Sequence, residues 1–283
     1  MKIAIASGKG GTGKTTVAVN LAYFKGIDLL DLDVEEPNDY IFFTDSESES
    51  EVKPENAGEP VYRLVPQVIE DKCTYCGVCK DVCEFNAIIV TEDSVLIFPQ
   101  LCHSCGACSY FCPEEAIIEV KREIGRIVKL KGEAKGRSID LTYGSLTIGE
   151  ASPVPLIKEV KKRANRDAIL DCPPGTSCSM VEGVIDSDFV ILVAEPTPFG
   201  YHNMNISIEV LTNLDKKFGI VLNKYEEDWS YREVEKLCIE KNIPVLGKIP
   251  FSRDIATKYS RGELLYEYGK VFDDIYSNVM SYA

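Results

Sequence analysis

The stretch IAIASGKGGTGKTT, residues 3–16, decides the fold. Ile3 to Ala6 reads as a short buried strand, Gly8 to Thr15 fits the pattern G-x4-G-K-[ST], and a helix opens there and runs to about Lys25. A glycine-rich turn between a strand and a helix lets backbone N–H groups close around phosphate oxygens at a helix N-terminus, where the peptide dipoles favour negative charge. In that setting Gly8, Gly10, Gly11, Thr12 and Gly13 supply the cradle and Lys14 reaches the β- and γ-phosphates. Thr15 offers its hydroxyl to Mg²⁺, and Thr16 completes the binding stretch. ATP and Mg are the ligands this pattern predicts.

Working outward, further strand-like stretches stand at Arg126–Leu130, Ile139–Leu141, Ala168–Asp171, Phe189–Ala194, Gly219–Asn223 and Val245–Ile249, with helix-like segments between most of the later ones. That alternation predicts an α/β fold, a mainly parallel sheet with helices on both faces. Thr44 to Pro60 is polar and holds the run Asp45-Ser-Glu-Ser-Glu-Ser-Glu51, which reads as a solvated loop.

Between the early and late strands lie eight of the chain's 11 cysteines, in two runs of one spacing: Cys73, Cys76, Cys79 and Cys83, then Cys102, Cys105, Cys108 and Cys112. The runs are 29 residues apart, and CGVCKDVCEFNAII (76–89) aligns with CGACSYFCPEEAII (105–118), so the segment is an internal duplication. A zinc site expects two separated C-x2-C knuckles and a disulfide framework expects a small secreted chain. A cysteine every third residue instead turns three thiolates toward one iron-sulfur core, with a fourth ligand from elsewhere.

Residues 62 to 121 resemble a bacterial ferredoxin with two 4Fe-4S clusters. In that pattern the last cysteine of each run ligates the other cluster. The resemblance therefore implies Cys73, Cys76, Cys79 and Cys112 for the first cluster and Cys83, Cys102, Cys105 and Cys108 for the second. It implies a small inserted α+β domain at 62–121 that interrupts one ATPase domain formed by 1–61 and 122–283. Pro113 follows Cys112 as the pattern asks, whereas Glu84 follows Cys83.

The remainder resembles the deviant-Walker P-loop ATPases that include MinD, ParA, Mrp and the nitrogenase iron protein. The resemblance rests on GKGGTGKTT with its extra Lys9, on Asp31-Leu-Asp33-Val-Glu-Glu-Pro-Asn38, on Ala168-Ile-Leu-Asp171-Cys-Pro-Pro-Gly175 and on Gly219-Ile-Val-Leu-Asn223-Lys224. It implies that Lys9 reaches a partner's nucleotide in an ATP-dependent homodimer and that Asp33 orients or deprotonates the attacking water. It further implies that Asp171 holds a water on Mg²⁺, that Gly175 stands near the γ-phosphate, and that Asn223 bonds the adenine beneath the turn Ile249-Pro250-Phe251. Cys178 lies seven residues beyond Asp171, where the nitrogenase iron protein places a ligand of its dimer-bridging cluster; no cysteine lies between Ile124 and Leu170 to serve as the second. Such a cluster would rest on Cys178 with help from Cys172 at most. Cys238, with Val234 and Leu237 beside it, reads as a packed thiol.

The 283 residues less an insert of about 60 leave about 220, enough for one large α/β domain. The chain begins on its first strand and no apolar run reaches about 18 residues, which leads us to expect a soluble, cytoplasmic protein in a reducing compartment. The formal charge is −14, and the insert carries four Lys/Arg against nine Asp/Glu. That balance opposes nucleic-acid binding; an acidic insert suits a basic patch on a redox partner, or simply solubility. The last helix, about Lys270 to Tyr282, lacks the basic face a membrane-targeting helix needs, so core packing of Phe272, Ile275 and Val279 is expected. The two histidines, His103 and His202, have no partners in sequence that suggest nucleophilic or zinc chemistry.

The expected activity is ATP hydrolysis driving a dimer switch coupled to electron transfer. Two alternatives come from other classes: a cluster assembly or carrier ATPase of the Mrp kind acting on an apo iron-sulfur client, which normally has a C-terminal C-x2-C absent here, and a positioning ATPase of the MinD/ParA kind with structural clusters. A carboxylate next to a cluster favours its oxidised form. Glu84→Pro should therefore raise the midpoint potential of one cluster in a redox titration, and two unchanged potentials would refute the assignment.

Overall fold

The computed structural model describes residues 1–43, 58–228 and 230–283. The strands are β1 (Lys2–Ala6), β2 (Asp28–Asp31), β3 (Glu59–Val68), β4 (Ile88–Val90), β5 (Val95–Ile97), β6 (Ile117–Ala134), β7 (Arg137–Leu146), β8 (Ala168–Asp171), β9 (Phe189–Ala194), β10 (Phe218–Tyr225) and β11 (Val245–Pro250). The helices are α1 (Lys14–Lys25), α2 (Val78–Asp81), α3 (Ala107–Tyr110), α4 (Val154–Lys161), α5 (Cys178–Val184), α6 (Pro198–Asn213), α7 (Glu233–Glu240), α8 (Arg253–Ser260) and α9 (Gly269–Tyr282).

Among the described residues nine strands form one sheet, in the order β11-β10-β9-β1-β8-β2-β7-β6-β3. Every pairing from β11 to β7 is parallel, and β6 and β3 then add antiparallel at the edge. Strands buried on both faces need apolar residues at successive positions, which β1 and β9 supply. Alternation across β1 separates two cores. Ala4 and Ala6 meet Leu156 and Ile157 of α4, Met180 of α5, Met204 and Ile208 of α6 and Val234 of α7. Ile3 and Ile5 face Val17 and Leu21 of α1 and Phe272, Ile275 and Val279 of α9. The expected helices on both faces are therefore present, and α9 packs into the core. Among the described residues no helix is long and apolar enough to cross a membrane.

The cysteine segment departs most from expectation in how it is attached. β3 and β6 form a long antiparallel hairpin from Glu59↔Ile127 to Val68↔Ile117, and the same β6 pairs with β7 from Gly125↔Leu146 to Ala134↔Arg137. The expected boundaries at 62 and 121 thus fall inside strands continuous with the main sheet, and residues 69–116 form a small body at the hairpin's tip. That body holds α2, α3 and the β4–β5 pair; Cys79, Ile88 and Cys108 pack with Ile117 of β6 in one small core, and Ala87 and Cys102 with Val65 of β3 in another. The strand expected at Arg126–Leu130 is the middle of this 18-residue β6. Of the polar stretch Thr44 to Pro60, residues 44–57 lie outside the described residues, and Glu59 and Pro60 begin β3.

Phe272 is fully buried on α9 and stacks on Phe24 with ring centroids 5.8 Å apart. Phe272→Ala should lower unfolding stability by about 3–5 kcal/mol in urea titrations; a loss under about 1 kcal/mol would show that α9 contributes little to this core.

Candidate functional site

Three neighbouring parallel strands end at one place. Ile5 of β1 and Asp31 of β2 both register with Asp171 of β8, so the loop after β1 and two carboxylates meet at the carboxyl edge of the sheet, where open α/β sheets bind their ligands. The loop turns into α1 through Gly13, whose φ of 91° is open to glycine, and a Cβ there would overlap the amide of Asn223. Lys14 Nζ lies 2.7 Å from Asp171 Oδ1, and Thr15 Oγ1 donates to Asp171 Oδ2 at 2.8 Å. Asp171 is 1% exposed. Burial alone would lower the Lys14 pKa, but the Asp171 carboxylate outweighs it and the ammonium is held above its ordinary range. Gly175 closes the arrangement by donating its N–H to the Ser7 carbonyl at 2.9 Å.

Asp31 organises the segment that follows β2. Its carboxylate accepts backbone N–H groups from Asp33 at 2.9 Å, Asn38 at 2.8 Å and Asp39 at 3.1 Å, which folds residues 33–39 around one buried anion. Burial, and then the nearby Asp171, raise its pKa to about 7. Asp33 is half-buried, and burial raises it to about 6 against the opposing pull of Lys14. A carboxylate tuned there is mostly ionised at neutral pH and able to take a proton. Asp39 is 0% exposed; among the described residues no donor reaches its side-chain oxygens, and its carboxyl meets that of Asp171, a contact that needs a proton on one of the two. Burial and then the charges of Asp31 and Asp171 push it well above the carboxylate range.

Lys9 turns to its own chain, its Nζ 2.5 Å from Glu195 Oε2 and 5.3 Å from the centre of the Phe199 ring. Lys224 pairs with the other oxygen of Glu195 and donates to the Gly11 carbonyl at 2.8 Å. Asn223 donates its amide to the Thr12 carbonyl at 2.7 Å, so it braces the loop as well as lining the adjoining cleft. That cleft, about 300 Å³, is bounded by Gly11, Gly13, Thr16, Pro250, Phe251 and Tyr259. Asp31, Asp39, Glu195 and Lys224 are the residues sequence reading passed over. Asp31, two positions before Asp33, and Lys224, next to Asn223, stood in quoted motifs; Asp39 and Glu195 carried no visible signal.

The cysteines sort into two groups. Cys73, Cys76, Cys79 and Cys112 line one small hollow; Cys83, Cys102, Cys105 and Cys108 line another. The duplication is repeated in the backbone: Tyr75 and Ser104, Gly77 and Gly106, and Asn86 and Glu115 all take positive φ. So do the N–H bonds to sulfur, from Ala87 to Cys83 at 3.4 Å and from Ala116 to Cys112 at 3.3 Å. Burial, with the neighbouring thiols of the same run, raises Cys79 and takes Cys108 to about 11, so these groups need a cation to remain thiolates. Among the described residues no three His, Cys, Asp or Glu side chains converge closely enough for a single metal ion. A four-iron cube is wider, and its thiolates stand around its corners rather than against one another.

The other three cysteines diverge. Cys172 is fully buried with its thiol toward the Leu170 carbonyl, and burial raises its pKa to about 12. It cannot assist a surface cluster, which removes it from the bridging site considered above. Cys178 is exposed at the start of α5, and Cys238 is buried in α7.

With this geometry the chain matches the profile of the CobQ/CobB/MinD/ParA nucleotide-binding domain over residues 3–265. It belongs to that family. Two uncharacterized proteins of Methanocaldococcus jannaschii are similar along most of its length, one 36% identical over 232 residues (79% of this chain and 78% of that one), the other 32% identical over 278 residues (95% and 92%). Among solved structures, the Pyrococcus furiosus cell division ATPase MinD is similar at a TM-score of 0.59 and 18% identity, covering 100% of this chain and 99% of that one. The Pyrococcus horikoshii septum site-determining protein MinD, complexed with Mg-ADP, follows at 0.55 and 18%, covering 97% and 93%. At such identities the likeness to these MinD structures is one of fold.

The Asp39 carboxyl is protonated in the folded chain over a pH range where the unfolded chain ionises it. Its contribution to stability is whole below about pH 4 and is lost at about 1.4 kcal/mol per pH unit as pH rises toward its folded pKa. Asp39→Asn should therefore be close to neutral at pH 4 and stabilise the nucleotide-free protein increasingly as pH rises above it, as read from urea midpoints. A stability difference independent of pH would contradict this placement of the proton.

Proposed function

We propose that this MinD/ParA-type protein binds and hydrolyses Mg-ATP, switches between monomer and homodimer as it does so, and carries two 4Fe-4S clusters in the segment at the tip of the β3–β6 hairpin. The observation that carries the nucleotide reading is the shared hold of Lys14 and Thr15 on Asp171 at the carboxyl ends of β1 and β8. Lys14 and Thr15 are the groups a P-loop directs at phosphate oxygens and Mg²⁺, and here they satisfy each other's desolvation through one carboxylate until those ligands arrive. Gly8, Gly10, Gly11, Thr12, Gly13 and Thr16 close around the phosphates, and Asn223 and Pro250 border the cleft for the base.

Asp33 orients the attacking water and accepts its proton as the bond to the γ-phosphate breaks; Lys14 and Lys9 neutralise the charge that develops on the phosphoryl oxygens. For Lys9 to act on a partner's nucleotide it must leave Glu195, and Lys224 remains there to balance that carboxylate. Loss of the γ-phosphate then frees residues 33–39 and Gly175 to relax, the usual way a phosphate-sensing switch opens.

The separation of eight cysteines into two cavities, each with three thiols of one run and the fourth of the other, supports clusters held by Cys73, Cys76, Cys79 and Cys112 and by Cys83, Cys102, Cys105 and Cys108. Bound there, the clusters would accept and release single electrons. Ala87 and Ala116 donate N–H groups to Cys83 and Cys112, and the surrounding acidic surface suits a basic redox partner.

The fold comparisons favour a second reading, a positioning ATPase, because the solved neighbours include cell division MinD proteins; the clusters would then be structural. Against the cluster-carrier reading, Cys238 is buried and lacks a neighbouring thiol in sequence. An anaerobic redox titration with and without Mg-ATP, followed by mixing with an apo ferredoxin, separates the three. Shifted potentials with iron retained mean electron gating, iron moving to the acceptor means carriage, and neither change means positioning.

Lys9→Ala should retain Mg-ATP binding, remain monomeric by light scattering with a non-hydrolysable ATP analogue, and release phosphate about 100-fold more slowly. Retention of the ATP-dependent dimer would remove Lys9 from the interface.

A further inference from the structure

A chain of contacts runs from the nucleotide-facing segment to the second cysteine run. Val34, next to Asp33, accepts the N–H of Leu146 at 2.8 Å, and it lies so close to β7 that a Cβ added at Gly144 would stand 2.8 Å from Val34 Cγ1. The segment after Leu146 is held at both ends, Thr147 donating to the Ile124 carbonyl of β6 at 2.9 Å and Glu150 to the Thr147 carbonyl at 3.1 Å. From that turn the Glu150 side chain, 1% exposed, takes Arg63 of β3 at 2.6 Å and Arg122 of β6 at 3.0 Å. Arg63, its side chain 7% exposed, donates onward to the carbonyls of Pro99, at 2.7 Å, and Cys102.

We propose that Glu150 and Arg63 are positioning residues that pass the nucleotide state of residues 33–39 to the cysteine loop around Cys102. Three properties of the network suit it to this. It is buried, so its charges are little screened and a shift of one partner is felt by the next. It joins separate parts of the molecule, since Glu150 belongs to the turn clamped against Val34 while Arg63 belongs to the hairpin that carries the cysteine segment. And it ends on the main chain of a cysteine whose cavity is already built, so a displaced guanidinium changes both the position of that loop and the positive charge beside its thiolates. Charge and hydrogen bonding near the sulfurs set the potential of an iron-sulfur centre, and a guanidinium there favours the reduced form.

The inference rests on the reading of residues 33–39 as a phosphate-sensing switch, and the experiment keeps the two apart. Hydrogen–deuterium exchange is measured on the anaerobically purified protein with Mg-ADP and with Mg and a non-hydrolysable ATP analogue, for the wild type, Arg63→Met, Arg63→Lys, Glu150→Gln and a control, Lys129→Gln, at an exposed position of β6. In the wild type and the control, exchange should depend on nucleotide both at 33–39 and at 98–105. In Arg63→Met and Glu150→Gln the dependence should persist at 33–39 and disappear at 98–105, with protection there about tenfold lower in both nucleotide states. Arg63→Lys, which keeps the charge but not the fork, should fall between. Arg63→Met, which removes the positive charge beside the Cys102 loop, should also shift one of the two midpoint potentials downward in an EPR-monitored titration, with phosphate release unchanged. Persistence of the nucleotide dependence at 98–105 in Arg63→Met and Glu150→Gln would overturn the proposal. Its absence at 33–39 in the wild type would overturn the switch reading, and this inference with it.

Discussion

The Asp171 carboxylate is the point on which the site depends. At the end of β8, between β1 and β2, it takes Lys14 and Thr15 together, so it fixes the start of α1 against the sheet and ties the loop after β1 to the strand ends. A buried charge without a partner is costly, and here one lysine faces Asp171, Asp31 and Asp39. Burial first, and then the neighbouring carboxylates, raise the pKa values of Asp31, Asp33 and Asp39. A site built with more acid than base is arranged for a cation it does not itself contain, which accords with the proposed use of Mg²⁺.

The same strand ends explain how a small cysteine-bearing body can be coupled to a large ATPase domain. It is not joined through a flexible linker at both sides, since β3 and β6 extend the main sheet and leave the body at the tip of a paired hairpin. Hydrogen bonds join residues 33–39 to that hairpin, from Val34 through Leu146 and Thr147 to β6. The mechanical link is therefore independent of what the cysteines hold, and it would serve electron gating or a structural role equally.

Much of this was legible in the chain because the responsible contacts are short-range or the motifs dense. The loop of Gly8 to Thr16 announces itself by its spacing, as do the two cysteine runs and the apolar strands around them. What escaped notice lies in pairs distant in sequence: Glu195 is 186 residues from Lys9, and Glu150 is 87 from Arg63. A lone glutamate or arginine in a strand or turn resembles any surface residue until its partner is known. The hairpin was obscured for a related reason. The resemblance to a ferredoxin extended over residues 62 to 121, and it concealed that the outer parts of this stretch pair as strands of the larger sheet.

By itself, then, the amino-acid sequence determined the α/β class, the phosphate loop and the grouping of eight cysteines into two runs, because each follows from neighbouring residues whose backbone geometry or periodicity is local. Only the tertiary structure decided that Lys9 rests on Glu195, that Asp39 is buried among other carboxylates, and that Arg63 and Glu150 join the hairpin to the turn after β7. Burial sets the strength of these charges, and burial is a property of how distant segments pack, which no local pattern encodes.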